Sequence, residues 1–205
     1  LAQVDRSQAP EAGPAPTIEL GESTTKQLAN GMQLIVVENH RLPKVSWTLS
    51  LENRPIFEGR KVGMLDLVGE LMRSGTTLKS KAELDEAVDF IGASLSANYK
   101  GMRGSSLTKH TDELLSLMAE VLLSPSFPEN ELERLRTQAL SGLLASESSP
   151  SDISESLTRS LNFTNNHPYG EITTAETLGS LTREDFEKKG FYQKLKQCFD
   201  NKTFT

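Results

Sequence analysis

Metal-dependent or nucleophilic chemistry needs His, Cys, Asp or Glu at spacings that bring them together, and this 205-residue chain supplies few such groups. Its three histidines, His40, His110 and His167, are spread too widely for any two to share a helix face. The local two-histidine zinc motifs, H-E-x-x-H and H-x-x-E-H, are therefore absent. The single cysteine, Cys198, excludes an intramolecular disulfide framework and a cysteine zinc knuckle, and no histidine or helix start beside it would lower its pKa. Asp66 and Glu70 stand four apart, so a helix presents both on one side, where with water they could hold Ca²⁺ or Mg²⁺. Two carboxylates are too few for a dedicated site, and a solvated helix face is the plainer reading. His40 falls in a turn and His110 next to a helix start, so both read as surface residues. His167, before Pro168-Tyr169, reads as a shaper of its loop. Asn162-Phe-Thr164 and Asn201-Lys-Thr203 match the N-glycosylation pattern, which matters only in a eukaryotic secretory setting.

Composition narrows the partners. Lys and Arg number 22 against 28 Asp and Glu, a net charge of −6, which argues against nucleic acid or an anionic membrane surface. No apolar run approaches the 18 or so residues of a membrane-spanning helix. At 36% hydrophobic residues the chain can bury a core, and its length suits one large domain or two small ones.

The elements that must position these residues begin after a proline-rich lead. Residues 1–24 hold three of the prolines without helical or strand periodicity and read as an extended lead-in. Asn30-Gly31 marks a turn between Thr25–Leu28 and Met32–Glu38, a β-hairpin. Lys44–Leu51 alternates, placing Val45, Trp47, Leu49 and Leu51 on one sheet face. Val62–Arg73 reads as a mostly apolar, buried helix ending at Ser74-Gly75. Ser80 and Glu83 form a capping box for a second helix with Leu84, Val88 and Ile91 as its stripe. Ala93–Tyr99 and Met102–Thr108 flank a Lys100-Gly101 turn as a second hairpin. Helices are expected over Thr111–Leu123, Glu129 to about Glu147 with Pro128 at its first turn, and Asp152 to about Phe163. A last charged helix starts at Thr182, with Asp185 at the capping-box position. Paired strands and packed helices give an α+β class with an antiparallel sheet of about five to six strands.

Several segments together resemble one family. Asn30-Gly-Met-Gln-Leu-Ile-Val-Val-Glu-Asn39 is similar to the opening hairpin of the pitrilysin/insulinase-type zinc peptidases, a family that includes the mitochondrial processing peptidase subunits and the core proteins of the respiratory cytochrome bc1 complex. Gly63-Met-Leu-Asp-Leu-Val-Gly-Glu-Leu-Met-Arg-Ser-Gly-Thr76 resembles its signature helix. Ile91–Ser96, Phe127–Arg134 and His167-Pro-Tyr-Gly170 follow in the family's order, so the resemblance covers roughly residues 25–190. It implies one α+β domain with helices on a six-stranded antiparallel sheet, of the kind that faces a second such domain around a closed chamber. Residues 191–205 depart from the pattern and read as a divergent or truncated end.

In active members the signature helix reads H-x-x-E-H, two zinc-binding histidines on one helix face with a glutamate general base between them. Registered on Gly63 and Gly75-Thr76, those positions are Asp66, Gly69 and Glu70. The third zinc ligand, a glutamate in the family, registers on Gly142, with Glu147 reached by a shift of a few residues. The resemblance thus implies zinc, but the ligands and the base are replaced, so no catalytic, cofactor or metal residue is assigned.

The reading is a catalytically inactive homologue that binds extended polypeptide or completes the chamber of a catalytic partner subunit. The alternatives are part of an active metalloendopeptidase whose H-x-x-E-H lies in another domain or subunit, and a purely structural core subunit. The serine-rich strands Ser94–Ser106 could offer an exposed edge for strand addition. The expected partners are a second peptidase-family domain or catalytic subunit and extended polypeptide, with self-association into a homo-oligomer where core surface is left open. A bacterial periplasmic or exported location fits best, with a mitochondrial one as the alternative.

Overall fold

The structure, a computed structural model, describes residues 22–51 and 54–189 together with Gly13. Most of the expected lead-in, residues 191–205, Cys198 and the Asn201 sequon lie outside the described residues.

Among the described residues five strands form two small antiparallel sheets. Strands β1 (Ser23–Gln27) and β2 (Gln33–Val37) pair around the Asn30-Gly31 turn, with Ser23 opposite Val37. Strands β3 (Lys44–Ser50), β4 (Ser94–Asn98) and β5 (Gly101–Leu107) form the second sheet in the order β3-β5-β4. Along β3, Val45, Trp47 and Leu49 alternate with exposed polar residues, as a strand with one packed face requires. The expected single sheet is thus divided among the described residues, and the hairpin β1–β2 stands apart with Ile35 and Val37 exposed. Ser94–Ser106 is likewise not one exposed edge: of its two strands β5 lies between β3 and β4, and β4 alone stands at an edge.

Helix α1 (Met64–Met72) lies against β4 and carries the centre of the core. Leu71 and Met72 are fully buried, and only Asp66 and Glu70 reach solvent along it. Helix α2 (Lys81–Phe90) opens on the expected capping box, in which Glu83 N–H donates to the Ser80 hydroxyl and Ser80 N–H donates back to the Glu83 carboxylate. Between the two helices Thr76 acts as a knot. Its hydroxyl accepts from Leu78 and Lys79 N–H and donates to Glu120 on helix α3 (Thr111–Leu123), while Lys79 pairs with Glu120 at 2.6 Å. Burial works to raise the Glu120 carboxyl, but the Lys79 and Thr76 hydrogen bonds prevail and hold it below its ordinary value.

Helix α4 (Glu129–Ser146) packs Leu132 and Leu135 inward; Pro128 stands at its N-cap, one place before the expected first turn. Helix α5 (Pro150–Phe163) has Ser149 as N-cap and Pro150 at its first position, and buries no residue. A short helix, α6 (Ala175–Gly179), was not anticipated; its Leu178 is in the core. After it the Thr182 N–H and hydroxyl both donate to Asp185, as the expected capping pattern requires, but the turn that follows is a π-type turn over Asp185–Lys189. Phe186 and Phe127 fill the centre with ring centroids 6.2 Å apart.

Candidate functional site

The start of α1 is held by a carboxylate that is distant in structure type and close in sequence. Gly63 adopts φ 101° as the N-cap, a conformation that suits glycine, and has no side chain to satisfy the first helical N–H groups. Glu58 does this from the preceding turn, accepting from Leu65 N–H at 2.8 Å and Gly63 N–H at 3.4 Å. Glu171, from the loop before α6, in turn accepts from Glu58 and Gly59 N–H. Burial, opposed by those two backbone donors and assisted by the charges of Asp66 and Glu171, pushes the Glu58 carboxyl up to about 7. Glu58 caps α1 from outside the three-residue spacing of a capping box, and Glu171 joins it from a segment more than a hundred residues away, so neither carries a local sequence signal for this role.

Beside this carboxylate pair opens a cleft of about 550 Å³. Asp66 lines it, on the α1 face that also bears Glu70. Although Asp66 keeps solvent contact, partial desolvation within the cleft raises its carboxyl, offset in part by the charge of Arg159 on α5. Arg54, Lys100 and Tyr169 complete the polar rim, with Leu51 and Ile56 among its apolar walls.

Gly69, between Asp66 and Glu70, faces the strand rather than the cleft. A Cβ on Gly69 would lie 2.2 Å from the Ala97 carbonyl oxygen and 2.6 Å from Asn98 Cα. Real Cβ atoms do not approach backbone so closely, so β4 can pack on α1 here only because residue 69 has no side chain. Gly142 differs: it stands on an exposed stretch of α4, and a Cβ there would meet nothing within 4 Å. Glu147, the shifted alternative, caps α4 at its exposed end. Among the described residues no three His, Cys, Asp or Glu side chains gather into a metal-holding group.

The histidines are elsewhere. His40 is an exposed turn residue 3.1 Å from Glu38, and His110 faces Glu113 at 3.5 Å at the start of α3. His167 does organise its loop, its Nδ1 accepting from Tyr169 N–H while its ring stacks on Phe163 at 5.3 Å.

Comparison with solved structures decides the architecture. A peptidase M16 inactive domain from Pseudomonas fluorescens superposes with a TM-score of 0.71 at 22% identity, over 80% of this chain. The chain has the pitrilysin-type M16 fold. A protease from Helicobacter pylori matches at TM-score 0.62 and 20% identity over 87% of this chain, and the periplasmic protease PqqL from Escherichia coli at 0.69 and 11% over 96%. In sequence, the uncharacterized zinc protease YmxG of Bacillus subtilis (strain 168) is 24% identical over 166 residues, or 78% of this chain. No family model matches the chain. The chain spans 40% of the Bacillus protein's length and 42%, 45% and 24% of the three structures, so it corresponds to less than half of each.

Within the M16 fold the zinc implied by the resemblance does not fit these residues. At the positions the resemblance implies, both histidines are replaced by carboxylates, Asp66 and Glu70, and Gly69 offers no side chain; the volume a side chain at residue 69 would need is filled by β4 backbone.

Proposed function

We propose that this domain is a non-catalytic member of an M16-type assembly, which holds extended polypeptide or completes a chamber with a catalytic domain. The observation that carries it is the contact at Gly69: the position that the resemblance gives to the general base is packed against β4 backbone, within an M16-type fold. The P. fluorescens neighbour is itself described as an inactive domain, and the YmxG and PqqL matches are to proteases, which supports a role alongside proteolysis. Because the match covers less than half of each relative, the competent H-x-x-E-H would lie in another domain or subunit. Among the described residues no helix is long and apolar enough to cross a membrane, and the PqqL match favours the periplasm as the compartment.

The test is metal analysis and peptide hydrolysis on the purified chain, with binding of blocked extended peptides measured beside them. The expected result is substoichiometric zinc, no turnover and measurable peptide binding. Stoichiometric zinc with turnover by this chain alone would overturn the reading in favour of an active peptidase. Co-purification as a fixed part of a large complex, with no peptide binding, would favour the purely structural role.

A further inference from the structure

The cleft beside α1 carries both signs of charge, and the hydrogen bonds already made decide which groups still have donors or acceptors free for a ligand. Its carboxylates are largely committed. Glu171 accepts from two backbone N–H groups, Glu58 from two others, and Glu58 is driven toward its neutral form. Asp66 alone among the three accepts no hydrogen bond from a described residue.

The cations are not committed in this way. Arg54 reaches the cleft from the segment before Gly59, Lys100 from the β4–β5 turn and Arg159 from α5. Among the described residues, none of the three makes an ion pair within 4 Å or donates a side-chain hydrogen bond. Lys100 lies over the Tyr99 ring at 5.3 Å, and Arg159 acts on Asp66 only through its longer-range charge. Three uncommitted cations from three separate elements therefore face one uncommitted carboxylate. Guanidinium groups with open donors in a partly enclosed site favour a planar, bidentate anion such as a carboxylate.

The walls say what carries that carboxylate. Leu51, Ile56, Leu65 and Pro168 give an apolar lining, and about 550 Å³ is within the range of small-ligand pockets. From this geometry we infer that the cleft receives an acidic side chain, Asp or Glu, of an extended polypeptide. This rests on the polypeptide-binding reading above and names the residue class that reading leaves open.

The experiment uses three fluorescent peptides, acetylated and amidated at their ends, identical except for a central Glu, Gln or Lys in an apolar context. Anisotropy titrations with the full chain are expected to show the Glu peptide binding about tenfold or more tighter than the Gln peptide, the scale of one charge-assisted hydrogen bond. Arg159→Gln and Lys100→Gln, both at exposed residues and checked for fold by circular dichroism, are each expected to shrink that preference to within about threefold, and added salt to weaken it. Equal binding of the Glu and Gln peptides, or tighter binding of the Lys peptide, would overturn the acidic preference while leaving polypeptide binding intact. Failure of all three peptides to bind would overturn both.

Discussion

Gly69 and Glu58 show two ways in which a single residue is fixed by what surrounds it. Gly69 is fixed by exclusion: the Ala97 carbonyl occupies the space of its absent side chain. Replacing it with alanine forces α1 and β4 apart at the middle of the core, and the cost is expected at or above the upper end of the 1–3 kcal/mol typical of overpacking. Chemical denaturation of Gly69→Ala would check this; a loss under about 0.5 kcal/mol, the level of an ordinary surface change, would mean that the strand gives way freely. Glu58 is fixed by hydrogen bonding, and its carboxyl is raised from 4.5 to about 7. A carboxyl raised on folding takes up a proton, so its stabilising contribution is full below pH 4.5 and is lost as pH climbs through 7. Glu58→Gln retains an acceptor for Leu65 N–H without a charge. It is therefore expected to flatten the stability profile between pH 4.5 and 7 and to exceed the parent at pH 8 by on the order of 1–2 kcal/mol, after allowance for the solvent Glu58 still meets. Urea titrations across that pH range read it directly.

At the scale of elements, what was legible in the sequence was whatever depends on near neighbours. The Ser80-Glu83 box, the Asn30-Gly31 turn, the alternation along β3 and the apolar run of α1 are all local patterns, and each element appears within a few residues of its expected place. That Asp66 and Glu70 share one side of α1 was legible as well, since it depends on spacing within one helix. What escaped was tertiary. Helix α6 is too short to show a period, and the Glu58–Glu171 pairing and the three cations at the cleft come together only when distant segments fold. The division into two sheets was also hidden, because a strand's pattern specifies its packed face and not its neighbour. The helices differ correspondingly in what they contribute. Leu132 on α4 is fully buried and Leu161 on α5 is 82% exposed. Leu132→Ala is expected to cost about 2–5 kcal/mol and Leu161→Ala less than about 0.5 kcal/mol, a contrast that parallel thermal melts would display.

For the molecule as a whole, the M16-type fold and the absence of H-x-x-E-H from α1 are connected through the packing of α1 on the sheet. Asp66 and Glu70 are exposed, so D66H/E70H is expected to melt close to the parent. Adding G69E to complete H-x-x-E-H places a long side chain where β4 runs, and the triple variant is expected to melt about 5–10 °C lower. A triple variant that melts with the double would show that the sheet can make room. The contact at residue 69 also has a bearing on mutational history. Two of the three changes toward a metal-binding helix are nearly free, but neither restores a base. The third removes stability before any activity exists to select for it. Steps taken one at a time from this chain therefore meet a barrier at the glycine, and only a prior shift of β4 would open the path.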